Sequence, residues 1–497
     1  MDAPSSESNV PEIMSEIASR PISRRKVLAV GALGIAASTL GALEVLSPVP
    51  NRLAHAAPPH LPDIQFDISN YIGPITTIDG VQVRFGPVHT LFLTAQLTRR
   101  PDKRDQQLLS DALNTIEATY PFSPGGIFTF VSYGLPYFAR LPQALVSSDM
   151  PRLLSDNARF ALEEAVPGPT DVSPLNPGIT KQTFNVPVVI EKNDILFTMR
   201  SDSLRNLNSV SAWLQGSNNL NGQKVKSPSF SSLFKFTSSR LMFVQIGLPR
   251  QLANSNNLPF AKHMNPHSPM WMGFGDQQVN ASGPAAITTF QGNTSARFTN
   301  TKSGDYFFNG SIQHLSHVIQ DLNQFYANDE PYTERCQYMF RSNPMPSVGY
   351  TDQYTNGGGP AFLNNSFHGA NDALANAEAI NTYNSEHRMG HLTALQRSSR
   401  AVDGTPVHIR MDGPGFDSLD VPDGSNQPKL QFTIFVPTAD FFSRMRTNQA
   451  ALDLVQKYGV QSTDNGLERF ITATRRQNFL VPPRAHRAFP LLELVMR

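Results

Sequence analysis

The stretch from Glu386 to Asp412, EHRMGHLTALQRSSRAVDGTPVHIRMD, gathers imidazoles and guanidinium groups in a chain that is only 16% charged. His387 and His391 stand four residues apart, so on a helix they share one face, a spacing able to clamp zinc or copper if a third ligand joins. No HExxH pattern accompanies them, and the same pair reads equally as solvated helix histidines. Ser398, Ser399, Asp403, Gly404 and Pro406 then break the helix and turn the chain back into a strand-like segment, Val407 to Arg410. A neutral imidazole nitrogen at His408 has the chemistry to hold haem iron and tune its potential. His408 also fits as a plain strand histidine on a half-buried face. A guanidinium buried at Arg410, between apolar neighbours, requires an anion or a polar ligand.

A second candidate lies in Trp271 to Gln277, WMGFGDQ. Gly273 and Gly275 let the backbone pass close to a flat ligand and present Asp276 beside it. The alternative is a turn aspartate that accepts a backbone N–H. His314 and His317 flank an apolar stripe and read as a partly solvated helix face.

The elements that must position these groups follow from length and periodicity. A chain of 497 residues has room for two to three domain-sized units. A formal charge of +1 points to no nucleic-acid or anionic-membrane partner. Cys336 is the sole cysteine, which rules out an intramolecular disulfide. Residues 1–57 read as a targeting segment. Ser23-Arg24-Arg25-Lys26-Val27-Leu28 is a twin-arginine pattern, an apolar run reaches Leu46, and Ala54-His55-Ala56 resembles a cleavage site. Cleavage there gives a chain starting near Ala57 and working outside the cytoplasmic membrane. An uncleaved anchor is the other reading, because about 20 apolar residues span a bilayer.

Residues 58–250 alternate strand and helix patterns. Leu91, Leu93, Ala95 and Leu97 recur with strand period, and Leu108, Leu109, Ala112, Leu113 and Ile116 with helical period. Strands follow at Gly126 to Val131, at Val188 to Ile190 with Asp194 to Met199 as a hairpin, and at Leu241 to Leu248, with a helix at Leu204 to Leu214. That order is ferredoxin-like. Residues 251–303 connect to a second unit, 304–497, that repeats it. There Tyr306 to Phe308 reads as strand, the stripe Ile312 to Tyr326 as helix, Leu430 to Val436 as strand, Phe441 to Tyr458 and Gly466 to Thr474 as helices, and Phe479 to Pro483 as the closing strand. The fold class expected is α+β, with two ferredoxin-like halves.

In order and spacing these motifs resemble the dye-decolourising (DyP-type) haem peroxidases. Phe128 to Phe138 and Asp194 to Asp202 are similar to first-half segments of that family, Gly273 to Asp276 to its GFxDG motif, and Gly310 to Phe325 with Glu334-Arg335 to the opening of its second half. His408 to Arg410 resembles its HxR segment, and Phe479 to Pro483 its last strand. Two departures stand out. Gln277 replaces the glycine after the aspartate, and Leu430 to Val436 lacks the arginine that the family carries on the strand after its proximal histidine. The resemblance implies haem b, with His408 as proximal iron ligand, Arg410 on a propionate, Gly273 and Phe274 against the cofactor, and Asp276 as proton shuttle for hydrogen peroxide. It implies an exported peroxidase drawing electrons from an organic reductant, a client of the twin-arginine export machinery and a possible homo-oligomer. An exported haem-binding or haem-free protein on the same scaffold is the alternative.

Overall fold

The computed structural model describes residues 61–275, 284–292, 297–327, 332–339, 357, 359–362, 389–391, 395, 398–399, 405–452, 459, 463 and 465–495. Fourteen described strands run in chain order. Thr76–Ile78 and Val81–Val83 (β1, β2) form a small hairpin, as do Asn219–Leu220 and Gln223–Lys224 (β7, β8). The others make one ten-stranded sheet: β3 His89–Leu97, β4 Phe128–Gly134, β5 Val189–Ile190, β6 Ile195–Ser201, β9 Phe234–Phe243, β10 Ser311–Gln320, β11 Ile409–Arg410, β12 Gly413–Asp417, β13 Gln427–Val436 and β14 Ile471–Val481.

Strand order shows the architecture directly. The path runs β11-β13-β10-β14-β4-β6-β3-β9, with β12 beside β13. Each half is strand–helix–strand–strand–helix–strand with its first strand paired to its third and fourth, which is the ferredoxin-like arrangement. The fold is α+β with two such halves. They join edge to edge where Phe479 and Leu480 of β14 face Gly134 and Tyr133 of β4.

The sheet then curls until its two ends meet. A Cβ on Gly413 would stand 2.6 Å from Val244 Cγ2, and one on Gly415 would stand 2.9 Å from the Leu241 carbonyl oxygen. Side chains there would hold β12 away from the β9 end of the sheet. Trp271 Nε1 donates to the Gly415 carbonyl at 3.0 Å and ties this seam. Phe92, Phe130, Leu196, Met242, Leu315, Phe435 and Phe479 pack as one interior cluster drawn from seven strands. Helices cover the outer faces. Lys103–Thr119 begins with an Asp102 capping box and buries Leu109, Ala112, Leu113 and Ile116. Leu204–Leu214 starts on a Ser203 cap. Among the described residues no helix is long and apolar enough to cross a membrane.

The second half departs from its sequence pattern. Ile312 to Tyr326 is not one helix, because Ser311–Gln320 is a strand with every residue buried, followed by the short helix Leu322–Phe325. A strand between two neighbours, with the barrel interior on one face and helices on the other, is dry on both faces and loses the alternation of apolar with exposed polar positions. His314 and His317 are therefore fully buried and not on a solvated face. Residues 466–474 are a turn of 3₁₀ helix at Glu468–Phe470 leading into β14. Residues 306–308 form turns, and β5 pairs in parallel with β14 and not with β6.

Candidate cofactor cleft on the second half

Strand parity divides the second half's sheet into an inner and an outer face. Leu315, Phe435 and Phe479 face inward, so Ser316, Val318, Leu430, Phe432 and Arg476 face outward. Helix Asp440–Gln449 lies over that outer face, with Phe442 stacked on His314 at a ring distance of 3.3 Å. His314 Nδ1 pairs with Asn478 Oδ1 and its Nε2 with Ser316 Oγ, both at 2.6 Å. Burial and the nearby Arg476 and Arg446 charges hold its imidazole well below the usual pKa, so it is a neutral structural histidine.

Between sheet and helix lies a cleft. Its sheet wall carries Arg410, Asp412, Leu430, Phe432, Val318, Ser316, Ala473 and Arg476. Off the sheet, His391, Leu395, Phe442, Met445 and Leu467 complete the apolar and imidazole lining. The space between atoms, open mouth included, is about 660 Å³.

His391 is set by its neighbour Gly466. The Gly466 N–H donates to the Met389 carbonyl at 2.7 Å, and a Cβ on Gly466 would stand 2.8 Å from His391 Cα. With φ at +50° the position is left-handed as well, so glycine is required on both counts.

One end of the cleft is charged and buried. Arg476 grips Asp171 with two bonds, Nε to Oδ2 at 2.6 Å and Nη2 to Oδ1 at 2.8 Å, and reaches Ser316 Oγ at 2.7 Å. Arg446 Nη2 lies 3.3 Å from Glu468 Oε2, and Gln449 donates to Glu468 Oε1 at 2.5 Å. Lys181 Nζ donates to the Glu468 backbone carbonyl at 2.5 Å. Burial alone would raise the Asp171 carboxyl, but the charge and hydrogen bonds of Arg476, with Arg446 behind it, hold it below the usual range. Glu191 is held down in the same way against its own burial by Arg240 and Arg475. A carboxyl lowered in the folded state binds fewer protons there than when unfolded, so its stabilisation is full above the unfolded pKa, about 4. It is lost as pH falls through and below that value. Thermal melts should accordingly hold steady from pH 8 to 6 and fall by several degrees between pH 5 and 3. A flat profile over that acid range would show that these carboxylates are not held ionised by their partners.

The residues singled out from the sequence separate. Arg410 lines the cleft together with His391. His408 is buried, at 3% exposure, and is not among the cleft-lining residues. It precedes Arg410 by two positions, roughly 7 Å along an extended chain. Gly273 and Phe274 pack into the protein. A Cβ on Gly273 would meet Tyr326 Oη at 3.0 Å, and Phe274 belongs to the main core. Gly275 is the tightest of the group, its missing Cβ leaving room for the Phe362 ring, which would otherwise stand 2.3 Å away. The glycines admit protein side chains, and neither Gly273 nor Phe274 lines this cleft. Asp276 and His387 lie outside the described residues. Among the described residues no group of three His, Cys, Asp or Glu side chains is placed to hold a metal ion. Asp171, Lys181, Arg446, Glu468 and Arg476 escaped the sequence reading. The pattern Thr474-Arg475-Arg476-Gln477 inside an apolar strand was the available signal, since buried guanidinium groups require partners.

Comparison with solved structures gives distant likenesses. A dye-decolorizing protein from V. cholerae shares 11% identity over 84% of this chain and 97% of its own, with a TM-score of 0.45. A dye-decolorizing peroxidase from Bacteroides thetaiotaomicron shares 13% over 85% and 98%, at 0.44. The encapsulated DyP-type peroxidase from Mycobacterium smegmatis shares 14% over 82% and 96%, at 0.43. Scores below 0.5 assign no activity. No curated protein matches by sequence. The match that does carry membership spans residues 164–483, and by it the chain belongs to DUF7405, a family of unknown function.

Proposed function

We propose that the cleft holds haem b and that the protein is a peroxidase, with His391 and not His408 as the iron ligand. The observation that carries this reading is that His391 and Arg410 line one cleft. The lining offers an imidazole for iron and apolar side chains for the ring. Moving the ligand to His391 also removes a departure from the DyP-type pattern. The arginine expected on the strand after the histidine is then Arg410 on β11, and no arginine is needed on β13.

When bound, haem supplies the iron centre at which peroxide is reduced and oxidising equivalents are held. His391 offers a ring nitrogen from a position fixed by Gly466. The walls of Leu430, Phe432, Phe442 and Met445 exclude water from the ring faces. Arg410 keeps its charge at any working pH and faces the cleft from the sheet wall, where it stabilises negative charge developing on a departing oxygen. Heterolysis of a peroxide also requires a proton moved from the inner to the outer oxygen, which leaves as water. Asp412, on the same wall as Arg410, is the described acid placed to carry it, and Asp276 is the further candidate from the sequence.

Peroxide-dependent oxidation of a dye by protein loaded with haem tests the reading. The parent should turn over and His391→Ala should not. Either Asp412→Asn or Asp276→Asn should lower the rate by roughly 10²–10⁴-fold, and the other should not. A parent that binds haem and gives no peroxide-dependent oxidation contradicts the peroxidase assignment.

Export by the twin-arginine route belongs to the same proposal, supported by Arg24, Arg25 and the Ala54 to Ala56 site. Replacing both arginines by lysine should keep the protein in the cytoplasm, as read by cell fractionation. Unchanged export of that variant would remove this part of the account.

A further inference from the structure

The polar face of helix Lys103–Thr119 borders an open cavity of about 960 Å³. Lys103, Gln106, Gln107, Ser110, Asn114 and Glu117 recur at three- and four-residue spacing, so one helix face lines the cavity for roughly 21 Å. Residues 61, 63, 484–488 and 493 supply the rest of the lining. The volume lies within the roughly 300–1,000 Å³ of small-molecule sites. His486 also lines a second cavity of about 470 Å³, together with Asp149, Asn300, Thr301, Asp305 and Tyr306. The two cavities therefore meet at His486, whose ring stacks on Tyr306 at 3.9 Å, and together they make one trough.

The helix side of the trough is polar without net charge. Lys103, Arg484 and Arg487 stand against Asp63, Glu117 and Glu493. The carboxylates are already engaged inside the wall. Glu117 accepts from both Arg484 and Arg487. Glu493 accepts from Tyr306 Oη at 2.5 Å and Gln106 Nε2 at 2.9 Å, and Asp63 from Asn309 Nδ2 at 2.8 Å and the Ala485 N–H at 3.2 Å. What remains for a ligand is the Ser110 hydroxyl, the amides of Gln107 and Asn114, and Arg484 Nη2, a buried donor with no partner among the described residues. A buried donor calls for an acceptor oxygen, and hydroxyl and amide groups both donate and accept. Leu61, Ala485 and Ala488 are the apolar members of this lining, so an apolar ligand gains little here. The imidazole of His486, 34% exposed and braced on Tyr306, offers a flat face for a ring to lie against.

We propose that this trough binds a neutral polyhydroxylated chain, an oligosaccharide laid along helix Lys103–Thr119 with one sugar ring against His486. The hydroxyl and amide groups of the helix face meet the sugar hydroxyls, and Arg484 Nη2 donates to one of their oxygens. The trough shares no lining residue with the cleft between the second-half sheet and helix Asp440–Gln449, so the site is independent of the haem reading.

The test is isothermal titration of the full-length protein with the neutral hexasaccharides of cellulose, xylan, starch and chitin, and with hexagalacturonate as an acidic control. At least one neutral sugar should bind with a Kd at or below about 1 mM. Its affinity should be the same at low and high salt, because no ion pair forms with the ligand. Ser110→Phe fills the trough midway along the helix and should weaken binding at least about tenfold, while Ser110→Thr keeps the hydroxyl and the affinity. Gln107→Ala, at an exposed position, and His486→Ala should each weaken it as well, and they carry the test if circular dichroism shows Ser110→Phe unfolded. Failure of all four neutral sugars to bind would overturn the proposal. Binding that the folded variants leave unchanged, or binding confined to the acidic control, would overturn it equally.

Discussion

Asp171→Asn should destabilise the protein by about 3–5 kcal/mol, the range for removing one partner of a buried ion pair. Asp171 is 3% exposed and receives both arms of Arg476, with Arg446 Nη2 3.6 Å away. Asparagine preserves the shape and removes the charge. It leaves Lys181, Arg446 and Arg476 facing Glu468 alone. The loss reaches beyond the pair, because Arg476 anchors β14 at the cleft while Asp171 anchors the first-half loop that closes it. Equilibrium denaturation at pH 7, read by circular dichroism, measures it. A change under about 1 kcal/mol would place the pair in the solvent-screened class, and the dry charged corner would no longer stand.

Arg410→Met should lower peroxide-dependent turnover of the haem-loaded protein by about 10²–10³-fold, the cost of removing one preorganised group that stabilises developing charge. Haem content should stay near that of the parent, since the proposed iron ligand is His391 and not Arg410. Arg410→Lys should recover only part of the rate. An ammonium keeps the charge and loses the planar array of donors. If instead Arg410→Met empties the protein of haem and leaves the rate per haem unchanged, Arg410 is a cofactor anchor, the propionate role that the HxR spacing suggested.

The helices of the first half were legible because each has one wet and one dry face. The helices Lys103–Thr119 and Leu204–Leu214 show helical apolar spacing and carry capping residues at their starts. Strand β6 follows an aspartate whose carboxylate accepts the Leu97 N–H and pairs with Arg140. The central strand of the second half was misread for the opposite reason. Ser311–Gln320 is dry on both faces, and its Ile, Leu and Val positions match a helical period by coincidence.

The site was half legible. Arg410 was recognisable as a guanidinium needing a partner, and it does line the cleft. His408 was taken from its resemblance to the HxR segment, and it is not among the residues that line this cleft. What selects a cleft residue is the wall it stands on, and His391 reaches that wall through its contact with Gly466, 75 residues further on. The charged corner was the least legible part. Its members come from residues 171–181 and 446–476, and no local pattern links them before the two halves meet.

The proposed role of His391 as iron ligand is tested most directly by the absorption spectrum of the protein produced with iron and a haem precursor, beside His391→Ala and His408→Ala. A Soret band is expected in the parent and in His408→Ala, with its loss or marked shift in His391→Ala with the fold intact. A band that survives His391→Ala and disappears in His408→Ala would return the ligand to the HxR segment and contradict the site described here.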